Sequence, residues 1–476
     1  MNRRDFIGTG TFAAASIAFG NTSIANWAGE FPVVRLPKAE RRFVSPGVES
    51  LITEVKSSIG NKEVAWLFEN CFPNTLDTTV DFETINGRPD TFVITGDIDA
   101  MWLRDSSAQV WPYLPLMKND KQLKELIKGV INRQTRCIIN DPYANAFYKD
   151  EAKISEWKND KTVMKPGVHE RKWEIDSLCY PIRLAYGYWK ETGDISIFDS
   201  EWIEAMKLVV KTFKEQQRFI NNGSYKFQRE TTNPIDSTPL GGYGYPTNKV
   251  GLIHAMFRPS DDATVFPFNI PGNLFAVKAL EMLAEILGSV KGSADSETLK
   301  KQALGLSDVV RNAIDKYGIV KHKKYGNIFA FETDGFDSYC LMDDSNVPSL
   351  LSLSYLDILP QGKRDVYLNT RNYSLSSDNP FFFRGKVAEG VGGPHIGMDY
   401  IWPMSIIMRG ITSTSDQEIK NCINTLQKTH AGTGFMHEAF HKDDATKFTR
   451  KWFAWANTLF GEFIWKVYRE RKYLLS

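Results

Sequence analysis

From about residue 46 onward the chain repeats one theme, an amphipathic helical segment followed by a loop rich in Gly, Pro, Asp and aromatic residues. Leu123, Leu126, Ile127, Val130 and Ile131 recur at helical spacing, with Lys121, Lys124, Glu125 and Lys128 between them, which predicts a helix with one buried face. Trp202, Met206, Val209, Val210 and Phe213 repeat the pattern, and the stretch from Trp452 to Val467 does so less cleanly. Leu274 to Leu287 is different. Val277, Leu280, Met282, Leu283, Ile286 and Leu287 leave only Lys278, Glu281 and Glu285 polar, so this helix must be covered on more than one side.

Periodicity places about a dozen helices, near Val48, Val64, Ala108, Leu126, Ile182, Val209, Val277, Leu304, Leu350, Ser405, Ile423 and Phe460. One-sided helices alternating with two-sided ones fit two concentric rings. The expected fold is therefore all-α, an (α/α)6 toroid of six helical hairpins forming a single domain over residues 31–476. Strand-like alternation is short and local, as in Thr91 to Ile94 and Ile328 to Phe331, and no phosphate-binding glycine loop is present.

Residues 1–30 stand apart from this pattern. Arg3-Arg4 with Phe6, the small apolar run from Ile7 to Phe19 and Ser23-Ile24-Ala25 read as a twin-arginine-like export signal, giving an exported, periplasmic protein without stable membrane association. The apolar run is short of the roughly 20 residues a membrane span needs.

Composition narrows the chemistry. With 58 basic and 57 acidic side chains the net charge of +1 gives no field for holding a polyanion, which argues against a nucleic-acid partner. The five cysteines, Cys71, Cys137, Cys179, Cys340 and Cys422, are scattered and odd in number, which suits buried free thiols better than a disulfide framework or a zinc site.

Four loops concentrate polar chemistry. Gly96 to Ser107 crowds Asp97, Asp99, Asp105, Arg104 and Trp102 before a helix; Asp105 suits a helix cap, or Arg104 and Asp105 together suit paired hydroxyls, with Trp102 or Met101 as a wall. Phe257 to Ala263 sets Asp261 and Asp262 side by side next to Arg258, and adjacent carboxylates oppose joint ionisation, which is how a general acid keeps its proton. Glu389 to Pro403 carries Gly390, Gly392 and Gly393, then His395 and Asp399, which would share a face if helical. Gly432 to His441 ends in His437-Glu438-x-x-His441, a match to the zinc-hydrolase pattern. The two glycines just upstream favour a loop, and the site is expected to hold no metal and no cofactor, with Glu438 acting as a base.

These loops resemble glycoside hydrolase family 125, the bacterial exo-acting α-1,6-mannosidases. The likeness runs from about residue 45 to the C-terminus and is strongest in Met101-Trp102-Leu103-Arg104-Asp105-Ser106, Phe257-Arg258-Pro259-Ser260-Asp261-Asp262, Gly397-Met398-Asp399-Tyr400-Ile401-Trp402-Pro403 and Phe435-Met436-His437-Glu438. The resemblance implies an (α/α)6 fold, inversion at the anomeric carbon, a general acid at Asp261 or Asp262, with Asp262 favoured, and a base at Glu438. Inversion needs the two carboxyls about 6.5–9.5 Å apart so that a water fits between sugar and base. Trp102, Arg104, Asp105, Arg258, His395, Asp399 and His437 are the candidates for holding a mannose-containing oligosaccharide. Rival readings are a glucosidase or trehalase-like enzyme on the same toroid, a noncatalytic glycan-binding protein, and a zinc peptidase.

Overall fold

The computed structural model describes residues 31–290 and 294–476; the export-signal segment lies outside the described residues. Thirteen α-helices are present among them: α1 (Pro46–Ser58), α2 (Lys62–Cys71), α3 (Asn74–Thr78), α4 (Leu103–Val110), α5 (Lys121–Asn140), α6 (Asp176–Thr192), α7 (Ser200–Gln216), α8 (Ile270–Ser289), α9 (Ala294–Tyr317), α10 (Arg364–Ser374), α11 (Pro403–Ile411), α12 (Asp416–Thr429) and α13 (Ala454–Arg471). Packing sorts them into two rings. In the inner ring α4 packs on α6, α6 on α8, α11 on α13 and α13 on α4. Outside it, α5 packs on α7 and α7 on α9, while α12 lies against α11. This is the (α/α)6 toroid.

The amphipathic stripes behave as the sequence predicts. All five apolar stripe residues of α5 and all five of α7 are buried, and α8 is buried nearly all round, its Lys278 reaching Asp357 and its Glu285 reaching Lys190. One predicted helix is absent. The sixth inner position, around Leu350, is an irregular run of turns, packed through the Tyr180 hydroxyl on the Val347 carbonyl and through Tyr355 on Glu462 of α13. Its serines explain why. Ser349 and Ser352 exchange backbone N–H to hydroxyl bonds, and the Asp343 carboxylate accepts from the N–H groups of Leu350 and Leu351, so local side chains take bonds a helix would use. Conversely α10 was not expected, because it buries Tyr367, Thr370, Tyr373 and Ser374 rather than an aliphatic stripe.

Four of the inner helices start differently from α1, α5, α7 and α12, whereas inner α8 opens on Asn269, whose side chain accepts the Gly272 N–H. Helices α1, α5, α7 and α12 open on Ser45, Asp120, Asp199 and Ser415, each of which accepts a first-turn N–H. Inner helices α4, α6, α11 and α13 open on Trp102, Ile175, Trp402 and Phe453 with no side-chain cap. Their first turns instead adjoin the polar loops. Three small antiparallel ribbons pin those loops: Met101–Trp102 with Ala146–Phe147 and Val168–Glu170, Phe268–Asn269 with Glu332–Thr333 and Tyr339–Cys340, and Tyr400–Ile401 with Ala439–His441 and Asp444–Thr449. No helix among the described residues is long and apolar enough to cross a membrane. Cys71, Cys137, Cys179 and Cys422 are buried free thiols, and Cys340 is a half-buried one.

Candidate active site

Arg104 is the hub. It lies in the first turn of α4, buried, and its guanidinium reaches Glu174 at 2.7 Å, Asp261 at 3.1 Å, Asp105 at 3.2 Å and Asp176 at 3.5 Å. Asp105 is not the helix cap; Trp102 occupies that position and Asp105 lies three residues on, within the first turn, beside the arginine. Arg104 Nε and Asp105 Oδ2 are close without hydrogen-bond geometry, so each retains capacity to bind a hydroxyl. Burial raises the Asp105 carboxyl, opposed by Arg104, and burial raises Asp176 to about 6.

Asp261 and Asp262 point to different neighbours because Asp261 takes a left-handed backbone conformation, φ 65°. A residue with a β-carbon pays about 1–2 kcal/mol for that geometry. Asp261 faces α4 and α6: its Oδ1 accepts from Arg104 and from Asn145 Nδ2 at 3.2 Å. Burial pushes this carboxyl up, but Arg104, a hydrogen bond from Glu174 and Lys172 outweigh it and hold Asp261 well below the usual carboxylate range. Glu174 moves the opposite way, raised by burial and by Asp261 against the pull of Arg104. Asp262 faces the glycine loop. Its Oδ1 contacts His395 Nδ1 at 2.9 Å and its Oδ2 accepts from the Ser260 hydroxyl at 2.9 Å.

Arg258 does not face this space. It makes a buried two-pronged pair with Glu332, at 2.5 and 3.1 Å, and Glu332 also accepts the N–H groups of Val265 and Phe266. Arg258 therefore braces the loop that carries the two aspartates.

The glycine loop is not helical, so His395 and Asp399 do not share a face. His395 meets Asp262 and lies near the Trp402 ring, whereas Asp399 is half-exposed and paired with Lys442 at 2.6 Å. The glycines serve close packing. A β-carbon at Gly392 would stand 2.1 Å from the Tyr400 carbonyl oxygen, and one at Gly393 would meet Asp344 at 3.0 Å.

The His437–His441 stretch runs through a loop into a strand, which separates the two imidazoles. His437 is buried flat against Phe448, 3.6 Å between ring centroids, with Nε2 near the Thr433 hydroxyl, and burial lowers it to about 4. His441 packs instead on Tyr400. Glu462, the glutamate a zinc site would need as its third ligand downstream of the pattern, instead accepts from the Tyr355 hydroxyl. The helical two-histidine ligand geometry of a zinc hydrolase is thus not formed. Glu438 is buried, with Arg450 Nη1 at 3.4 Å from its Oε1, and Arg450 continues to Asp97 at 2.5 Å and over the ring of Phe453.

The structure thus brings Arg104, Asp105 and Asp261 into one cluster, Asp262 and His395 into a second and Glu438 with Arg450 into a third. Arg450 and Asp105 are within electrostatic reach of each other, which joins the first cluster to the third. Trp102 stands edge-on to His169 beside Tyr148, its indole N–H buried without a partner. Several members carried no motif in the sequence: Asn145, Lys172, Glu174, Asp344 and Arg450. Glu170-Arg171-Lys172-Trp173-Glu174-Ile175-Asp176 offered a signal, since five of those seven residues are charged immediately before a buried helix. Asp343-Asp344 offered another, repeating the adjacent-acid pattern of Asp261-Asp262.

Comparison with known proteins agrees with this geometry. The family model described as metal-independent alpha-mannosidase, GH125, matches residues 61–465. The meiotically up-regulated gene 157 protein of Schizosaccharomyces pombe is 40% identical over 465 residues, covering 94% of this chain and 90% of that one. A solved structure of a metal-independent α-mannosidase from Streptococcus pneumoniae, in a non-productive complex with α-1,6-mannobiose, superposes with a TM-score of 0.86 at 39% identity, covering 90% of this chain and 100% of that chain. A toroid with converging carboxyl groups, matched along nearly its whole length, leaves one conclusion: the chain belongs to glycoside hydrolase family 125, the metal-independent α-mannosidases.

Proposed function

We propose that the protein is an exo-acting, inverting α-1,6-mannosidase that removes terminal mannose from oligosaccharides such as N-glycans or mannan, with Asp262 as general acid and Glu438 as general base. The observation that carries the linkage is the solved relative at 39% identity, which binds α-1,6-mannobiose. The observation that supports the roles is the sorting of the two aspartates. Asp261 is held ionised by Arg104 and has no proton to give, whereas Asp262 touches only a hydroxyl and an imidazole.

In this reading Arg104 and Asp105 hold hydroxyls of the nonreducing mannose, and the Trp102 indole forms a wall. The Asp262 carboxylic acid donates its proton to the glycosidic oxygen as the bond to the anomeric carbon breaks. Glu438 takes a proton from a water that attacks the opposite face of the ring, so α-linked substrate yields β-mannose. All of this chemistry is supplied by side chains.

Proton NMR of the purified protein acting on α-1,6-mannobiose tests the proposal. Early β-mannose that is absent with Glu438→Gln is the expected result; early α-mannose overturns the inverting mechanism. The reading extends to location. We propose export through the Arg3-Arg4-x-Phe6 segment, tested by changing both arginines to lysine, which should shift the activity from the periplasmic to the cytoplasmic fraction of the host.

A further inference from the structure

Lys172 is completely buried, a rare state for a lysine unless its charge is matched. Its ammonium donates to the Asp261 carbonyl at 2.8 Å and to Asp236 Oδ1 at 3.0 Å, lies 3.5 Å from Glu170, and stands 5.1 Å from the centre of the Phe257 ring. Arg229 balances Glu170 from the other side and also pairs with Asp160. One of the three bonds this ammonium can make is thus spent on a main-chain oxygen.

That oxygen belongs to the peptide joining Asp261 to Asp262. The turn around it is closed by the Asp261 N–H on the Arg258 carbonyl at 2.9 Å and by the Arg258 N–H on the Asp262 carbonyl at 2.8 Å. Within the turn Asp261 has the left-handed backbone that L residues resist. Freeing the 261–262 peptide to rotate would lose the bond from Lys172 and release ψ of Asp261 and φ of Asp262, the torsions that set the Asp262 carboxyl against Ser260 and His395. The side chain of Asp261 is tied from a second direction, through Asn145, whose Oδ1 accepts the main-chain N–H of Lys172 at 3.1 Å.

We propose that Lys172 is a positioning residue for the general acid: by holding the Asp261 carbonyl it fixes the plane of the 261–262 peptide and aims the Asp262 carboxyl at the glycosidic oxygen. The proposal rests on the reading of Asp262 as the acid. Lys172 itself donates no proton to the substrate.

A leaving-group comparison in the full-length protein separates aiming from general damage. Hydrolysis of α-1,6-mannobiose needs a proton on the departing oxygen, whereas 2,4-dinitrophenyl α-mannoside releases a stable phenolate without one. Lys172→Met should lose about tenfold or more in kcat/KM on mannobiose beyond its loss on the aryl mannoside, a fraction of the roughly 10²–10⁴ that general acid catalysis supplies. Equal losses on both substrates overturn the proposal. Lys172→Met with Asp236→Asn removes one charge of each sign and is read in the same way if the single variant does not fold. Asp262→Asn is the reference. If it spares the aryl mannoside and the Lys172 variants do not, the positioning role alone falls; if it loses both substrates equally, the acid assignment falls and takes the Lys172 role with it.

Discussion

The two sides of the active site are built to different tolerances. On the acid side, the 258–262 turn is held by the buried Arg258–Glu332 pair, by Lys172 on its main chain and by Ser260 and His395 on Asp262. On the base side, Glu438 has one charged contact among the described residues, a 3.4 Å approach from Arg450, and that arginine is anchored to Asp97, a side chain 40% exposed, and to the Thr95 hydroxyl. On the proposed assignment of acid and base, the difference follows from the two proton transfers. The acid must meet an oxygen fixed by the bound sugar, and small errors in position are costly. The base meets a water, which adjusts to the carboxylate that holds it.

Breaking the chemistry itself should give the largest effect. Glu438→Gln is expected to lower kcat on mannobiose by about 10²–10⁴ while the unfolding midpoint in urea stays close to the parent's, because the amide keeps the side chain's volume and an acceptor oxygen for Arg450. A large fall in stability with modest loss of kcat would remove the base assignment.

Breaking the brace on the acid side should show first in stability. Glu332→Ala leaves Arg258 buried without its partner and strips acceptors from the Val265 and Phe266 N–H groups, so about 3–5 kcal/mol of unfolding free energy should be lost in urea titration. A loss below about 1 kcal/mol, the scale of an exposed pair, would show that the brace is not what stiffens this side.

On the base side the corresponding change is milder. Arg450→Met should reduce kcat by about tenfold, roughly 1.4 kcal/mol of barrier, with Arg450→Lys recovering part of it. Loss of stability comparable to Glu332→Ala would erase the contrast between the two sides.

How far this contrast could be read in the sequence differs loop by loop. That Arg104, Asp105, Asp261, Asp262 and Glu438 gather in the polar loops beside the inner helices was legible because charged residues crowd short loops between apolar helices. Asp399 and His437 were drawn in by the same crowding, yet one pairs with Lys442 and the other packs against Phe448. Neighbours in sequence did not share a direction, since left-handed backbone at Asp261 and Asp399 turns adjacent side chains apart. Lys172, Asn145 and Arg450 act through long-range contacts that no local spacing encodes. At the level of the fold, the aliphatic stripes of α5 and α7 were plain, whereas serine and aspartate side chains broke the expected helix at Leu350 and tyrosines concealed α10.

The smallest effect concerns acid stability. His437 titrates at about 4 in the fold, against about 6.5 in an unfolded chain, so the unfolded state binds the extra proton between those values. Its contribution is complete above about pH 6.5 and is lost as pH falls toward 4. His437→Asn should therefore flatten the fall in melting temperature over that window by a few degrees, roughly the effect of 1–2 kcal/mol. An unchanged slope would mean that His437 is protonated within the fold.

The division of labour between the two carboxyls is tested most directly by the anomeric configuration of a trapped product. With Glu438→Ala and sodium azide, azide takes the place of the base-activated water and attacks the anomeric carbon of α-1,6-mannobiose as the other mannose leaves with the proton from Asp262. The account predicts restored turnover with β-mannosyl azide from the variant and β-mannose as the first product of the parent enzyme; α-mannose from the parent, or α-mannosyl azide from the variant, would reveal a covalent intermediate and contradict it.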